Sequence, residues 1–137
     1  MKIIILRQEV TMTEKKLVAR VRQAGPFANV IDIEGEISTF SVEELEQAYE
    51  QAVQGNFRTV IFNFTGLTYM NSFGIGMLVR LLIHARRDNK NVVGYGLSDH
   101  YRQIFKITRL DQVIPIYENQ SIALAAAEPY DRPEREA

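Results

Sequence analysis

Thr59-Val60-Ile61-Phe62-Asn63-Phe64 runs into Thr65-Gly66-Leu67-Thr68 and then into Tyr69-Met70-Asn71-Ser72-Phe73-Gly74-Ile75-Gly76. The first six residues are β-branched or aromatic with little polar alternation, the pattern of a central strand covered on both faces. The next four are turn-forming and predict a change of direction. Beyond them Ile75, Leu78, Val79, Leu82 and Ile83 recur at helical spacing, so a helix is predicted from near Ser72. Strand, turn and apolar helix in that order form the middle of an α/β unit.

Upstream, Leu17 to Arg22 alternates apolar and basic residues, Gly25-Pro26 breaks the chain, and Asn29 to Glu34 is a second extended run, so the pair reads as a hairpin. Gly35 to Ser38 is a short connector. Ser41-Val42-Glu43-Glu44 has the Ser-x-x-Glu spacing of a capping box and opens a helix over about 42–54, stopped by Gly55. Downstream, Asn89-Lys90-Asn91 ends the helix that began near Ser72, and Val92 to Tyr95 is a strand closing at Gly96. Ser98 caps a third helix carrying Tyr101, Ile104 and Phe105. A last strand over Val113 to Tyr117 contains Pro115 and therefore belongs at a sheet edge, and Ser121 opens an Ala-rich fourth helix to about Ala127.

The expected fold class is α/β: a β-hairpin lead-in, then alternating helices and strands, with a mixed sheet of four to five strands and about four helices. Three segments are expected: an N-terminal extension or extra strand over 1–16, a folded domain over 17–128, and a charged flexible tail over 129–137.

The 137 residues are 46% hydrophobic and 24% charged, the composition of one globular domain. Sixteen basic against seventeen acidic residues give a net charge of −1, so counterion-driven nucleic-acid binding has no electrostatic footprint. The absence of cysteine excludes thiol nucleophiles, disulfides and iron–sulfur ligation, and fits a reducing compartment. The apolar run from Ile3 to Leu6 is too short for a signal-peptide core or a membrane span, so a soluble, cytoplasmic protein is expected.

Few catalytic patterns are complete. Gly94-Tyr95-Gly96 and Gly74-Ile75-Gly76 would place the third glycine of a dinucleotide fingerprint at Asp99 and Val79, and no phosphate-binding Gly-Lys-Ser/Thr loop occurs. Ser98-Asp99-His100 holds the residue types of a hydrolase triad without the Gly-x-Ser-x-Gly elbow, and reads as a capped helix start. His84 falls on the polar side of its helix, near Arg80 and Arg87.

Attention therefore falls on Thr65 to Gly76, which leaves the C-terminal end of the central strand and delivers Asn71 and Ser72 to a helix N-terminus, where open α/β sheets usually put their working residues. Unpaired amides and a partial positive charge at that place tolerate an anion, so a phosphate on Ser72 would sit stably. The plainer alternative is that Ser72 or Asn71 is only a helix cap. Phe73 fits either a core staple or an exposed protein-binding patch. Gly74 and Gly76 each cost a helix interior about 1 kcal/mol relative to alanine, which suggests a close approach.

Asn71-Ser72-Phe73-Gly74-Ile75-Gly76 resembles the Asp-Ser-x-Gly-Leu/Ile-Gly signature of STAS domains, specifically of anti-sigma factor antagonists, at every place but the first. Val30-Ile31-Asp32-Ile33-Glu34-Gly35-Glu36-Ile37 is similar to the strand and Gly-Glu-Leu-Asp turn of the same family, with Ser38 where the Asp would stand. The likeness covers about Leu17 to Ala127.

The resemblance implies a protein that is no enzyme and needs no cofactor. Ser72 would be the phosphoacceptor of an anti-sigma factor that is also a serine kinase, the unphosphorylated form would bind that kinase, and a serine phosphatase would reset the cycle. ATP and magnesium would belong to the kinase. The implied contact surface comprises Ser38, Thr39 and Ser41, then Tyr69, Met70, Asn71, Phe73, Gly74, Ile75 and Gly76, with the exposed face of the second helix. Asn71 keeps the hydrogen-bonding shape of Asp and loses its charge. Two alternatives stand beside this reading: a phosphorylation-independent scaffold or transporter-associated STAS domain, pairing with itself or with other STAS proteins, and a small-molecule or nucleotide binder using the helix N-terminus as an anion site.

Overall fold

Strand β1 (Leu17–Gln23) and strand β2 (Ala28–Ile37) form the expected antiparallel hairpin, with Arg20 opposite Asp32. The computed structural model describes residues 17–55 and 57–127, so the extension expected over 1–16 and the tail over 129–137 lie outside the described residues. After β2 come a 3-10 turn (Thr39–Ser41), helix α1 (Val42–Ala52), strand β3 (Thr59–Met70), helix α2 (Ser72–Arg87), strand β4 (Asn91–Tyr95) and helix α3 (Asp99–Ile107). A second 3-10 turn (Leu110–Gln112), strand β5 (Ile116–Tyr117) and helix α4 (Gln120–Ala127) complete the order.

The five strands lie in sequence order, β1-β2-β3-β4-β5, and every pair after the hairpin is parallel. Right-handed crossovers that always step the same way put their helices on one face of the sheet. That face holds the main core, where Ile31, Ile33, Phe62 and Phe64 meet Leu45 and Tyr49 of α1, Leu78 and Leu82 of α2, and Phe105 of α3. Phe64 stacks on Phe62 with centroids 5.7 Å apart and meets Phe105 edge-on at 6.2 Å. Such ring pairs add about 0.5–1.5 kcal/mol each beyond the area they bury. Among the described residues the other face is covered only by α4, whose Ala123 packs with Ala28, Val30, Ile61 and Val93.

The α/β order, the hairpin lead-in and the five-stranded mixed sheet with four helices agree with expectation; several local expectations do not. The segment Thr65 to Thr68 is not a turn, nor is Gly35 to Ile37 a connector: β2 and β3 stay paired past the rest of the sheet, to Ile37 opposite Met70. Two register shifts place extra residues on β3, so its polar stretch is a bulged, protruding ribbon. Gly66 permits this because a Cβ there would come within 2.7 Å of the Ile33 carbonyl oxygen. Ser41 makes no capping bond to α1, because its hydroxyl is used in the turn before it. The strand expected over Val113 to Tyr117 shrinks to Ile116–Tyr117; it is an edge strand as expected, and Pro115 lies just outside it, its carbonyl accepting from the Gly94 amide at 2.9 Å. Helix α4 starts one residue early because the Asn119 side chain, not Ser121, receives the Ile122 amide, at 3.0 Å.

Candidate functional site: the tip of the β2–β3 ribbon

The protruding ends of β2 and β3 carry the 3-10 turn and the start of α2 side by side. The turn is fixed by two serines: Ser38 Oγ accepts from the Phe40 amide at 3.3 Å, and Ser41 Oγ accepts from the Ser38 amide at 2.9 Å while donating to the Glu36 carbonyl at 2.7 Å. With both serines buried inside this reciprocal box, Thr39 and Phe40 are turned outward.

The start of α2 is held just as tightly. Asn71 is the cap, its Oδ1 accepting from the Gly74 amide at 2.9 Å, while its own amide donates to the Ile37 carbonyl at 3.4 Å. A Cβ on Gly74 would lie 2.3 Å from that same carbonyl oxygen, so only glycine lets the helix start this close to β2. On the other side β4 has already ended, and the Met70 amide at the close of β3 donates instead to the Tyr101 hydroxyl of α3 at 2.9 Å. This anchor escapes sequence reading, since Tyr101 looks like any other apolar-face residue of its helix.

Because Asn71 caps, Ser72 is left free of that task. It occupies the first helical position, is exposed, and its hydroxyl makes no hydrogen bond among the described residues. The cap beside it is neutral, so no carboxylate offsets the partial positive charge of the helix start. The segments that meet at this helix start carry exposed aromatic rings: Phe73 in its first turn at 47%, Tyr69 at the end of β3 at 46% and Phe40 on the 3-10 turn at 60% of their full surface. Val79 and Ile83 continue an exposed apolar stripe down α2. Between α1 and α2 a groove of ≈ 290 Å³, lined by Glu46, Tyr49, Met77, Arg80 and His84, borders that stripe.

The residues expected to contact a partner thus divide by burial. Thr39, Tyr69, Ser72, Phe73 and Gly76 are exposed, and Asn71 and Ile75 are partly so. Ser38, Ser41, Met70 and Gly74 are buried: they shape the surface from beneath and offer no side chain to a partner. Phe40 lies within the Ser38 to Ser41 turn of the expected surface without having been singled out, and it is the most exposed ring there.

Elsewhere, the Ser98-Asp99-His100 run is a capped helix start as read. Ser98 Oγ accepts from the Tyr101 amide at 3.4 Å, and the His100 ring packs edge-on against Tyr101 at 4.8 Å. His84 is exposed, as its place on the helix implied. Among the described residues no cluster of His, Asp or Glu is arranged to hold a metal ion, and no helix is long and apolar enough to cross a membrane.

A sheet in sequence order with three helices on one face, its second and third strands prolonged to carry a short turn and a glycine-held helix start, is the architecture of a STAS domain. Residues 19–123 match that family, and the chain belongs to it. Among curated relatives, the anti-sigma-B factor antagonist of Staphylococcus aureus is 27% identical over 92 residues, covering 67% of this chain and 85% of the relative. Among solved structures, an anti-sigma factor antagonist from Mycobacterium paratuberculosis superposes with a TM-score of 0.66 at 22% identity, over 82% of this chain and 94% of the other. A sulfate transporter family protein from Wolinella succinogenes reaches 0.67 at 13% identity, over 77% and 89% of the two chains. At these identities the structural matches establish the fold, and they include chains named for transport as well as for sigma-factor control.

Proposed function

We propose that this protein is a cytoplasmic anti-sigma factor antagonist of a bacterial partner-switching system. Unphosphorylated, it binds an anti-sigma factor through Phe40, Tyr69, Phe73 and the exposed face of α2; phosphorylated on Ser72 by the kinase activity of that partner, it is released, and a serine phosphatase restores it. The protein contributes a surface and a hydroxyl, and the catalysis belongs to its partners. The observation that carries this reading is the exposed, unpartnered Ser72 hydroxyl at the first position of α2, on a helix start whose adjoining segments carry exposed aromatic side chains. The name of the Staphylococcus aureus relative points the same way.

Phosphorylation would add about −1.5 to −2 charges where the partner must strip water from both surfaces. A loss of about 3 kcal/mol from that clash lowers affinity somewhat more than a hundredfold, enough to empty the complex without refolding either protein. Asn71 supports the same geometry as the family's usual Asp, since its amide oxygen makes the capping bond.

The test is incubation of the purified protein with candidate serine-kinase anti-sigma factors and ATP, followed by peptide mapping. Label on the peptide containing Ser72, absent from Ser72→Ala, is expected. Label elsewhere, or label retained in Ser72→Ala, contradicts the assignment. A stable large assembly in light scattering, formed without any kinase, would favour a scaffold role instead.

A further inference from the structure

The two glycines in the first turns of α2 have opposite surroundings. Gly74 is buried against Ile37 and has no room for a side chain. Gly76 is exposed, helical, and a Cβ built on it meets no atom within 4 Å. Nothing inside the described fold needs a glycine at 76, and helix propensity disfavours one there relative to alanine. The bare position has a defined neighbourhood. Residues three and four apart are neighbours on a helix surface, so Gly76 lies between Ser72 and Phe73 on one side and Val79 and Arg80 on the other, all four exposed. The missing side chain is therefore a notch in an apolar ridge formed by Phe73, Val79 and Ile83.

We infer that Gly76 is the point of closest approach on the docking surface, its notch receiving one apolar side chain of the anti-sigma factor and letting that partner approach the α2 backbone. The inference rests on the partner-switch reading and adds to it the place of closest approach and the chemistry of what enters. The occupant is apolar because Phe73 and Val79 each present an exposed apolar side chain at the notch, beside the Ser72 hydroxyl and Arg80. Ser72 lies one helical turn below, so the apolar group must be desolvated beside the hydroxyl that carries the phosphate. A dianion there opposes entry directly, which couples the modification to release.

The experiment compares wild type, Gly76→Ala and Gly76→Leu, all unphosphorylated, by thermal melting and by titration with each purified serine-kinase anti-sigma factor encoded in the same genome. Gly76→Ala is expected to melt about 3–5 °C above wild type. It is expected to bind at least ~10-fold more weakly, and Gly76→Leu at least ~100-fold more weakly, since methylenes forced into a filled contact are costly. A stabilised variant with weakened binding cannot be explained by misfolding. Equal affinity of wild type and Gly76→Ala overturns the inference and leaves the partner-switch reading standing. A lowered melting temperature for Gly76→Ala also overturns it, because the fold would then require the glycine. If none of the anti-sigma factors binds wild type, the partner-switch reading fails and this inference falls with it.

Discussion

The tip of the β2–β3 ribbon and the open half of the sheet face beside α4 both meet solvent, yet they are built in opposite ways. On the sheet face a row of polar side chains crosses four strands and closes on itself. Arg22 Nε donates to Asp32 Oδ2 at 2.6 Å, Asn63 Nδ2 donates to Asp32 Oδ1 at 2.7 Å, and Gln120 Oε1 accepts from Arg22 at 2.8 Å and from the Tyr95 hydroxyl at 3.0 Å. The Arg22 guanidinium holds the Asp32 carboxyl below its ordinary value, and burial pushes the Tyr95 phenol up. At the tip the polar bonds lie underneath, in Ser38, Ser41 and Asn71, while aromatic rings and the Ser72 hydroxyl face outward. A surface whose polar groups satisfy one another needs no second molecule. A cluster of exposed apolar side chains over a rigid polar base is the usual mark of a surface that meets one.

That contrast can be broken from either side. The largest effect is expected from Gly74→Ala, which drives a methyl toward the Ile37 carbonyl and should cost about 3 kcal/mol in chemical denaturation. A cost below about 0.5 kcal/mol would mean that the tip is not rigidly held. Next comes the sheet face. A carboxyl whose folded pKa is lowered stabilises the fold above its unfolded value of about 3.9, and that contribution is lost as pH falls through the folded value. Because Arg22 and Asp32 are partly exposed, solvent screening limits the contribution to about 0.5 kcal/mol. Asp32→Asn should be less stable than wild type by about that amount at pH 7 and indistinguishable at pH 2, and the same gap at both values would contradict the assignment of that stability to the charged pair. The smallest effect on stability is expected from Phe73→Ala, within about 0.5 kcal/mol of wild type in thermal melts, because the ring is half exposed. The same variant should lose at least ~10-fold in partner affinity, as aromatic anchors of interfaces commonly do. A large stability loss would place Phe73 in the core and remove it from the docking surface.

Much of this was legible in the residues. Val60 to Phe64 declares a central strand through its β-branched and aromatic run, and Ser72 and Phe73 mark a candidate site through their place in the motif. Thr65 to Thr68 misleads because glycine and threonine serve a turn and a bulged strand equally well; what decides is pairing with Glu34 to Ile37, some thirty residues away in the chain. Ser41 misleads for a similar reason, since Ser-x-x-Glu fits a capping box, but Ser38 three residues earlier captures the hydroxyl first. The burial of Met70 and Gly74, and with it the separation of contact residues from supporting ones, depends on Tyr101 and Ile37 arriving from elsewhere in the fold. Local pattern singled out the candidate site, and long-range contacts determined which of its residues face outward.

If modification controls binding, the Ser72 hydroxyl must lie inside the docking surface. The most direct test is calorimetric titration of the cognate anti-sigma factor with the unphosphorylated protein and with the protein stoichiometrically phosphorylated on Ser72. Affinity falling by at least ~100-fold on phosphorylation, with an unchanged melting temperature, is the predicted result; equal affinity of the two forms would contradict the account.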